Sequence, residues 1–341
     1  MQPRSVDSLL VRVAHPAELF QMHGVDGPGT GPVLVLVTHH AAVYDARSGA
    51  ELAWFPLLDG RHYPNQVASC VYDGVLVVAA DGEDLRQWEL PSGRAIHTGF
   101  DPRGRTRAVT SYRDGERTVL VLVDDEGTVR RFDAALGTPI GKALRLPAER
   151  LSSRLARLVG KGDSAPVVVG AKQKIVMDPA ADQPTALIVG LHGFWRVGLD
   201  AGAVTWLAVG AKFTTQHLDL DPRPGPSAVV ISGYDGVAVV DAHDGRYTAG
   251  PLLIDDDLGG TCAAAVIDGR LRVFVAVGSG VSHWDGGDTT STVLPPNETN
   301  ENDDTDAVCV LEVDGRLALF ASNAVDIYRY DASTGKPWPP D

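Results

Sequence analysis

The stretch GTVRRFDAALGTPIG, Gly127 to Gly141, sets β-branched residues and an aromatic before an acid, then a turn of small residues, then a glycine. The chain writes this design again and again. The equivalents of Asp133 are Asp45 in AVYDARSG, Glu89 in RQWELPSG, Asp178 in IVMDPAAD, Asp241 in AVVDAHDG, Asp285 in SHWDGGD and Asp331 in YRYDASTG. Successive acids lie 44, 44, 45, 63, 44 and 46 residues apart. The residue before each is large or apolar: Tyr44, Trp88, Phe132, Met177, Val240, Trp284 and Tyr330. A glycine stands four places after the acid in five of the seven copies.

A second marker runs in phase upstream: Asp-Gly at 26–27, 73–74, 114–115, 268–269 and 314–315. Asp-Gly between two apolar runs is a strong hairpin signal, because glycine supplies the positive φ that a tight hairpin turn demands. Each unit therefore reads as four short antiparallel strands in about 44 residues, the period of a propeller blade. Almost no window carries a helical apolar stripe, so the predicted fold is all β, a seven-bladed β-propeller of four-stranded antiparallel blades.

These units resemble WD-repeat propellers, in particular the degenerate copies found in bacterial proteins, over residues 8 to 335. Trp284-Asp285 keeps that family's dipeptide literally, and the family's upstream Gly-His pair is absent. Quinoprotein-like propellers, which use a similar Asp-x-x-x-Gly turn, are a near neighbour. The resemblance implies a rigid disc that works by holding other molecules.

The last copy ends in KPWPPD, whose prolines cannot add a fourth strand. The orphan β run at 8–13, SLLVRV, is predicted to close the ring, making residues 1–341 one domain. The 63-residue interval is about 19 residues too long. The surplus is assigned to residues 192–212, HGFWRVGLDAGAVTWLAVGAK, as an inserted hairpin between blades four and five.

Composition bounds the partners. Of 341 residues, 44% are hydrophobic and 22% charged, which suits a globular chain. No apolar run reaches the roughly 18 residues of a membrane helix. The start, MQPRSVDSLLVRVAHP, lacks a signal peptide's apolar core, and the expected location is cytoplasmic. A net charge of −14 argues against nucleic acid and for a partner with a basic surface. The cysteines Cys70, Cys262 and Cys309 read as buried reduced thiols.

No catalytic, metal or cofactor residues are assigned, since GxSxG, HExxH, P-loop and dinucleotide fingerprints are all missing. The leading reading is a non-enzymatic interaction module. Its candidate partner-binding residues are the aromatics of the presumed hairpin, Phe194, Trp195 and Trp206, with loop residues Arg61, Tyr63, Asp81, Glu83, Asp125, Tyr234, Asp255, Asp256 and Asp257 on the face gathering the second-to-third and blade-to-blade loops. The alternative is a small-ligand sensor or a metal-dependent lyase- or lactonase-like enzyme on the axial face, using His39-His40 and nearby acids.

Overall fold

The structure, a computed structural model, describes residues 9–13, 21–27, 31–57, 67–80, 84–96, 100–101, 104–147, 175–190, 192–209, 215–223, 227–233, 236–253, 258–277, 280–285, 292–294, 305–322 and 325–338. Strand β1 (Leu9–Arg12) precedes the first blade. Blade one holds β2 (Gln21–Gly27), β3 (Gly31–Val37), β4 (His40–Asp45) and β5 (Glu51–Pro56). Blade two holds β6 (Val67–Tyr72), β7 (Val75–Ala80), β8 (Asp84–Glu89) and β9 (Arg94–Ile96). Blade three holds β10 (Thr106–Asp114), β11 (Arg117–Asp124), β12 (Thr128–Asp133) and β13 (Leu144–Arg145). Blade four holds β14 (Ile175–Met177), β15 (Thr185–Gly190), β16 (Gly193–Gly198) and β17 (Ala203–Ala208). Blade five holds β18 (Thr215–Leu220), β19 (Ala228–Gly233), β20 (Gly236–Asp241) and β21 (Tyr247–Leu253). Blade six holds β22 (Leu258–Ile267), β23 (Arg270–Val277), β24 (Gly280–Asp285) and β25 (Thr292–Leu294). Blade seven holds β26 (Ala307–Val313), β27 (Arg316–Ser322) and β28 (Asp326–Asp331), with β1 as its outer strand. All seven sheets are four-stranded and antiparallel, as the repeat predicts.

Closure follows the sequence reading. β1 pairs antiparallel with β28, Val11 opposite Ile327 and Arg12 opposite Asp326, and the Val13 amide donates to the Val325 carbonyl at 2.7 Å.

The core is not one mass. It is seven clusters, each shared by two neighbouring blades. The second strands show why. In β3, Leu34 and Leu36 face blade seven while Val33, Val35 and Val37 face blade two, and all five are buried. Successive strand side chains point to opposite faces, so a strand covered on both sides must be apolar at every position. That is the origin of the runs VLVLV, VLVLV and VFVAV.

The recurrent markers have separate tasks. Asp73-Gly74, Asp268-Gly269 and Asp314-Gly315 all adopt positive φ at both residues, the geometry of the two-residue hairpin turn. The residue before the acid packs toward the preceding blade: Tyr44, Trp88, Phe132, Val240, Trp284 and Tyr330 each lie in that junction's cluster. The acid itself ties its own turn. Asp45 Oδ1 accepts from the amides of Arg47 and Ser48 at 3.0 and 2.7 Å, Asp241 Oδ1 from His243 and Asp244 at 2.7 and 3.0 Å, and Asp331 Oδ1 from Ser333 and Thr334 at 3.0 and 2.8 Å.

Two expectations are corrected. Asp178 is not the fourth repeat acid, because it follows β14, the innermost strand of blade four, rather than ending the third. The equivalent residue is Gly198, whose carbonyl accepts from the Gly202 amide at 2.9 Å just as Asp45, Glu89, Asp133, Asp241 and Asp331 accept from the glycine four residues on. Val197, not Met177, is the matching apolar residue facing blade three. The long interval therefore runs from Asp133 to Gly198, and most of its surplus falls in 148–174, outside the described residues. Residues 192–212 are consequently no insertion: β16 and β17 are the outer half of blade four. Gly193 opens β16 pressed against the Leu207 carbonyl and the Ala208 Cα, with no room for a Cβ.

Removing residues 1–13 should strip blade seven of its outer strand and lower the temperature of one cooperative unfolding transition; melting at the full-length temperature would contradict closure by β1. Asp285 gives a second test. Hydrogen bonding and charge from the Arg272 guanidinium hold its carboxyl below the ordinary range against the opposing effect of burial. A depressed folded value contributes stability above about pH 4 that is lost as pH falls. Asp285→Asn should therefore lower urea stability at neutral pH, with the gap to wild type narrowing toward pH 2 to 3. An equal gap at both pH values would contradict this.

Candidate functional site

The innermost strand of every blade has a hydrogen-bonded neighbour on one side only, so its other edge faces the axis. Unpaired backbone groups there need partners. Side chains of the preceding blade supply them. The Ser69 amide donates to Gln21 Oε1 at 2.9 Å, the Cys262 amide to His217 Nδ1 at 3.3 Å, and the Ala264 amide to Asp219 Oδ2 at 3.2 Å. Ser69 Oγ also bonds Gln21 Oε1 and lies 2.7 Å from His23 Nε2.

These strands enclose an axial channel of about 310 Å³, whose wall includes His23, Ser69, Thr110, His217, Asp219 and Thr261. All three cysteines line it, Cys70 from β6, Cys262 from β22 and Cys309 from β26, each unbridged and nearly buried. Desolvation pushes the Cys70 thiol up to about 12, so it is neutral at physiological pH. His217 lies with Nδ1 3.3 Å from Cys262 Sγ. The sequence reading named the thiols as buried but neither histidine. The signal was their place on the first strand of a unit, 22 and 24 residues before Asp45 and Asp241.

On the face carrying the Asp-Gly turns, charges are paired from blade to blade. Arg47 binds Asp314 at 2.6 Å, Arg113 binds Asp73 at 2.6 Å, and Arg131 binds Asp200. Arg272 Nη1 donates to the Ser333 carbonyl at 2.6 Å and Arg329 Nη1 to the Ala46 and Arg47 carbonyls at 2.7 and 2.6 Å. Exposed pairs of this kind are individually weak because water screens them, but they run along the seams between blades.

On the opposite face, Asp125 stands half-buried in a turn that Asp124 organises. The Asp124 carboxylate accepts from the Glu126 and Thr128 amides at 3.0 and 2.7 Å and from Arg130 at 2.6 Å. Arg61, Tyr63, Asp81, Glu83, Tyr234, Asp255, Asp256 and Asp257 lie outside the described residues. His40 stacks on Trp54, ring centroids 4.5 Å apart and planes 28° from parallel. Among the described residues no group of three or more His, Cys, Asp or Glu could hold a metal ion.

The aromatic candidates are redistributed. Phe194 and Trp195 are fully buried, in the junctions with blades five and three respectively, because β16 is an interior strand with both faces covered. Trp195 Nε1 donates to the Pro147 carbonyl at 3.2 Å, and its ring lies 4.6 Å from Trp206. Trp206 packs half-buried against the same cluster. The exposed large apolar residues among those described are Leu52, Trp54, Leu136 and Tyr247, on the outer strands or outer turns of blades one, three and five. Leu52 and Trp54 both lie on β5, 43% and 40% exposed, Leu52 at the bulge between the Val43–Ala53 and Tyr44–Glu51 pairs.

No protein-family model and no curated protein sequence matches the chain. Solved structures do. BBS1N in complex with ARL6DN, from a crystal soaked with mercury, is 14% identical with a TM-score of 0.67, covering 98% of this chain and 99% of that one. The same complex soaked with lead gives 14% identity, a TM-score of 0.66 and the same coverage. At that identity the likeness shows a shared fold, the seven-bladed propeller.

Trp195→Ala should destabilise the protein by about 3–5 kcal/mol in urea denaturation, as a core truncation does. A loss below about 1 kcal/mol would return Trp195 to the surface.

Proposed function

We propose that this propeller is a non-enzymatic platform for a protein partner, docked on the rim of blade one. The observation that carries the reading is the Leu52–Trp54 stripe on β5. An outer strand presents unpaired backbone groups, and natural sheets usually blunt such an edge with charge, proline or a bulge. This strand carries Glu51, Pro56 and a bulge at Leu52, and between them it still leaves a leucine and a tryptophan exposed, the indole stacked on His40. Trp is strongly enriched among the few residues that dominate protein interfaces.

The net charge of −14 favours a partner with a basic surface, since a field of that sign speeds encounter with positive molecules. The comparison fold is itself crystallised in a protein complex, which supports a protein partner by analogy of fold. Kinship with WD repeats is part of this reading, supported by Trp284-Asp285 closing β24 with the tryptophan buried between blades five and six. The missing hydrolase, phosphate-loop and dinucleotide motifs support a non-enzymatic role.

The test is capture from the native source with wild-type protein and with Leu52→Ser/Trp54→Ser. The wild type should retain a stoichiometric partner that the double variant loses while melting at the same temperature. An identical set of captured proteins on both would remove the rim of blade one from the account.

A further inference from the structure

Among the described residues, every blade ends in an outer strand with no strand on its far side, and all but one of these edges are blunted by devices that keep sheets from pairing with one another. β1 carries Arg12 and a break in register, β5 carries Glu51, Pro56 and a bulge, and β21 carries Pro251 and two breaks in register. β9, β13 and β25 run for only three, two and three described residues. The exception is β17, AVTWLA. It is six residues long, without charge or proline, and pairs with β16 in unbroken register from Ala203 opposite Gly198 to Ala208 opposite Gly193.

The Val209 amide donates to the His192 carbonyl at 3.0 Å, which fixes the phase of this ladder. Hydrogen-bonded positions alternate along an antiparallel pair, so Leu207, Thr205 and Ala203 bond inward to β16, while the amides and carbonyls of Val204, Trp206 and Ala208 point outward. The Gly245 turn of blade five approaches the Ala208 carbonyl, so Val204 and Trp206 are the open centre of the edge.

The side chains fit a second copy of the same strand. With a two-fold axis at Thr205, Val204 of one copy lies opposite Trp206 of the other, and Thr205 lies opposite Thr205. Aromatic–β-branched and Thr–Thr pairs are both favourable across antiparallel strands, and no like charges meet. Such a pairing uses both edges at once, so it closes at two chains instead of growing into a filament.

We infer that the protein self-associates as a two-fold dimer through β17, joining the fourth blades of two chains into one continuous antiparallel sheet. This surface is separate from the rim of blade one. One strand from each chain is a small contact, so the dimer is weak and reversible, with a dissociation constant of about 1 μM to 1 mM.

The experiment is sedimentation equilibrium of the full-length protein across that concentration range, with amide exchange over 203–208 read by peptide mass spectrometry on the same samples. The mean mass should rise from one chain toward two. Exchange at Val204 and Trp206 should slow by about tenfold once about nine-tenths of the chains are paired, because only the unpaired tenth exchanges. Salt screens the net charge of −14 on each copy and should strengthen the dimer. Thr205 is exposed, so Thr205→Lys and Thr205→Glu should keep the melting temperature. Each alone should stay monomeric, since like charges then face each other across the axis, and an equimolar mixture should recover the dimer. A wild type that stays monomeric throughout overturns the proposal, whether its 203–208 amides exchange freely or are covered by another part of the chain. A dimer whose 203–208 exchange is unchanged, or one that salt dissolves, is built on another surface and overturns it too; these wild-type arms need no variant to fold. A mixture of the variants that remains monomeric, or a lone variant that dimerises like wild type, overturns the axis at Thr205.

Discussion

A blade of four strands whose second strand is apolar at every position has two faces to bury and can cover neither by itself. Everything else in this molecule follows from that constraint. Each face is covered by a neighbouring blade, so the core divides into seven clusters at seven junctions, and the series is complete only when the last junction meets the first. The cluster between blades seven and one joins Leu34, Leu36 and Tyr44 to Phe320 and Ile327, from opposite ends of the chain. The pairing of β1 with β28 makes that junction covalent in effect, since blade seven is then built from both termini.

The same architecture decides where polar groups go. The six repeated acids are mostly occupied in holding their own turns. The inner edge strands donate backbone hydrogen bonds to side chains of the blade before, which places Gln21, His217 and Asp219 on the axis for a structural reason. The Asp-Gly face spends its charges along the seams. Among the described residues the outer rim of blade one leaves Leu52 and Trp54 exposed, and there a partner is proposed to dock.

The fold was legible in the sequence because turns and junctions repeat with the same residue types: a large apolar residue, an acid, a glycine with φ near 70°. Blade four was misread for a physical reason. IVMDPAAD imitates the marker with Met177 before Asp178, yet the turn it marks follows the first strand, where Asp178 is held beside Arg196 and Ser227. The true turn, Gly198 to Gly202, dispenses with the carboxylate and keeps only the backbone hydrogen bond, which sequence does not display. The displaced register then made Trp195 look like a protruding anchor when it is a core residue. The surface tryptophan, Trp54, went unread because exposure on an outer strand depends on how far the next blade overlaps it. Likewise the His217–Cys262 pair joins residues 45 apart, and only the blade-to-blade stagger brings them together.

The central claim, a ring in which every blade depends on both neighbours, is tested most directly by native-state hydrogen exchange on the second strands β3, β7, β11, β15, β19, β23 and β27. The account predicts that their slowest amides share one opening free energy, equal to that of global unfolding. A blade whose second strand exchanges by its own, much easier opening while the other six stay protected would contradict it.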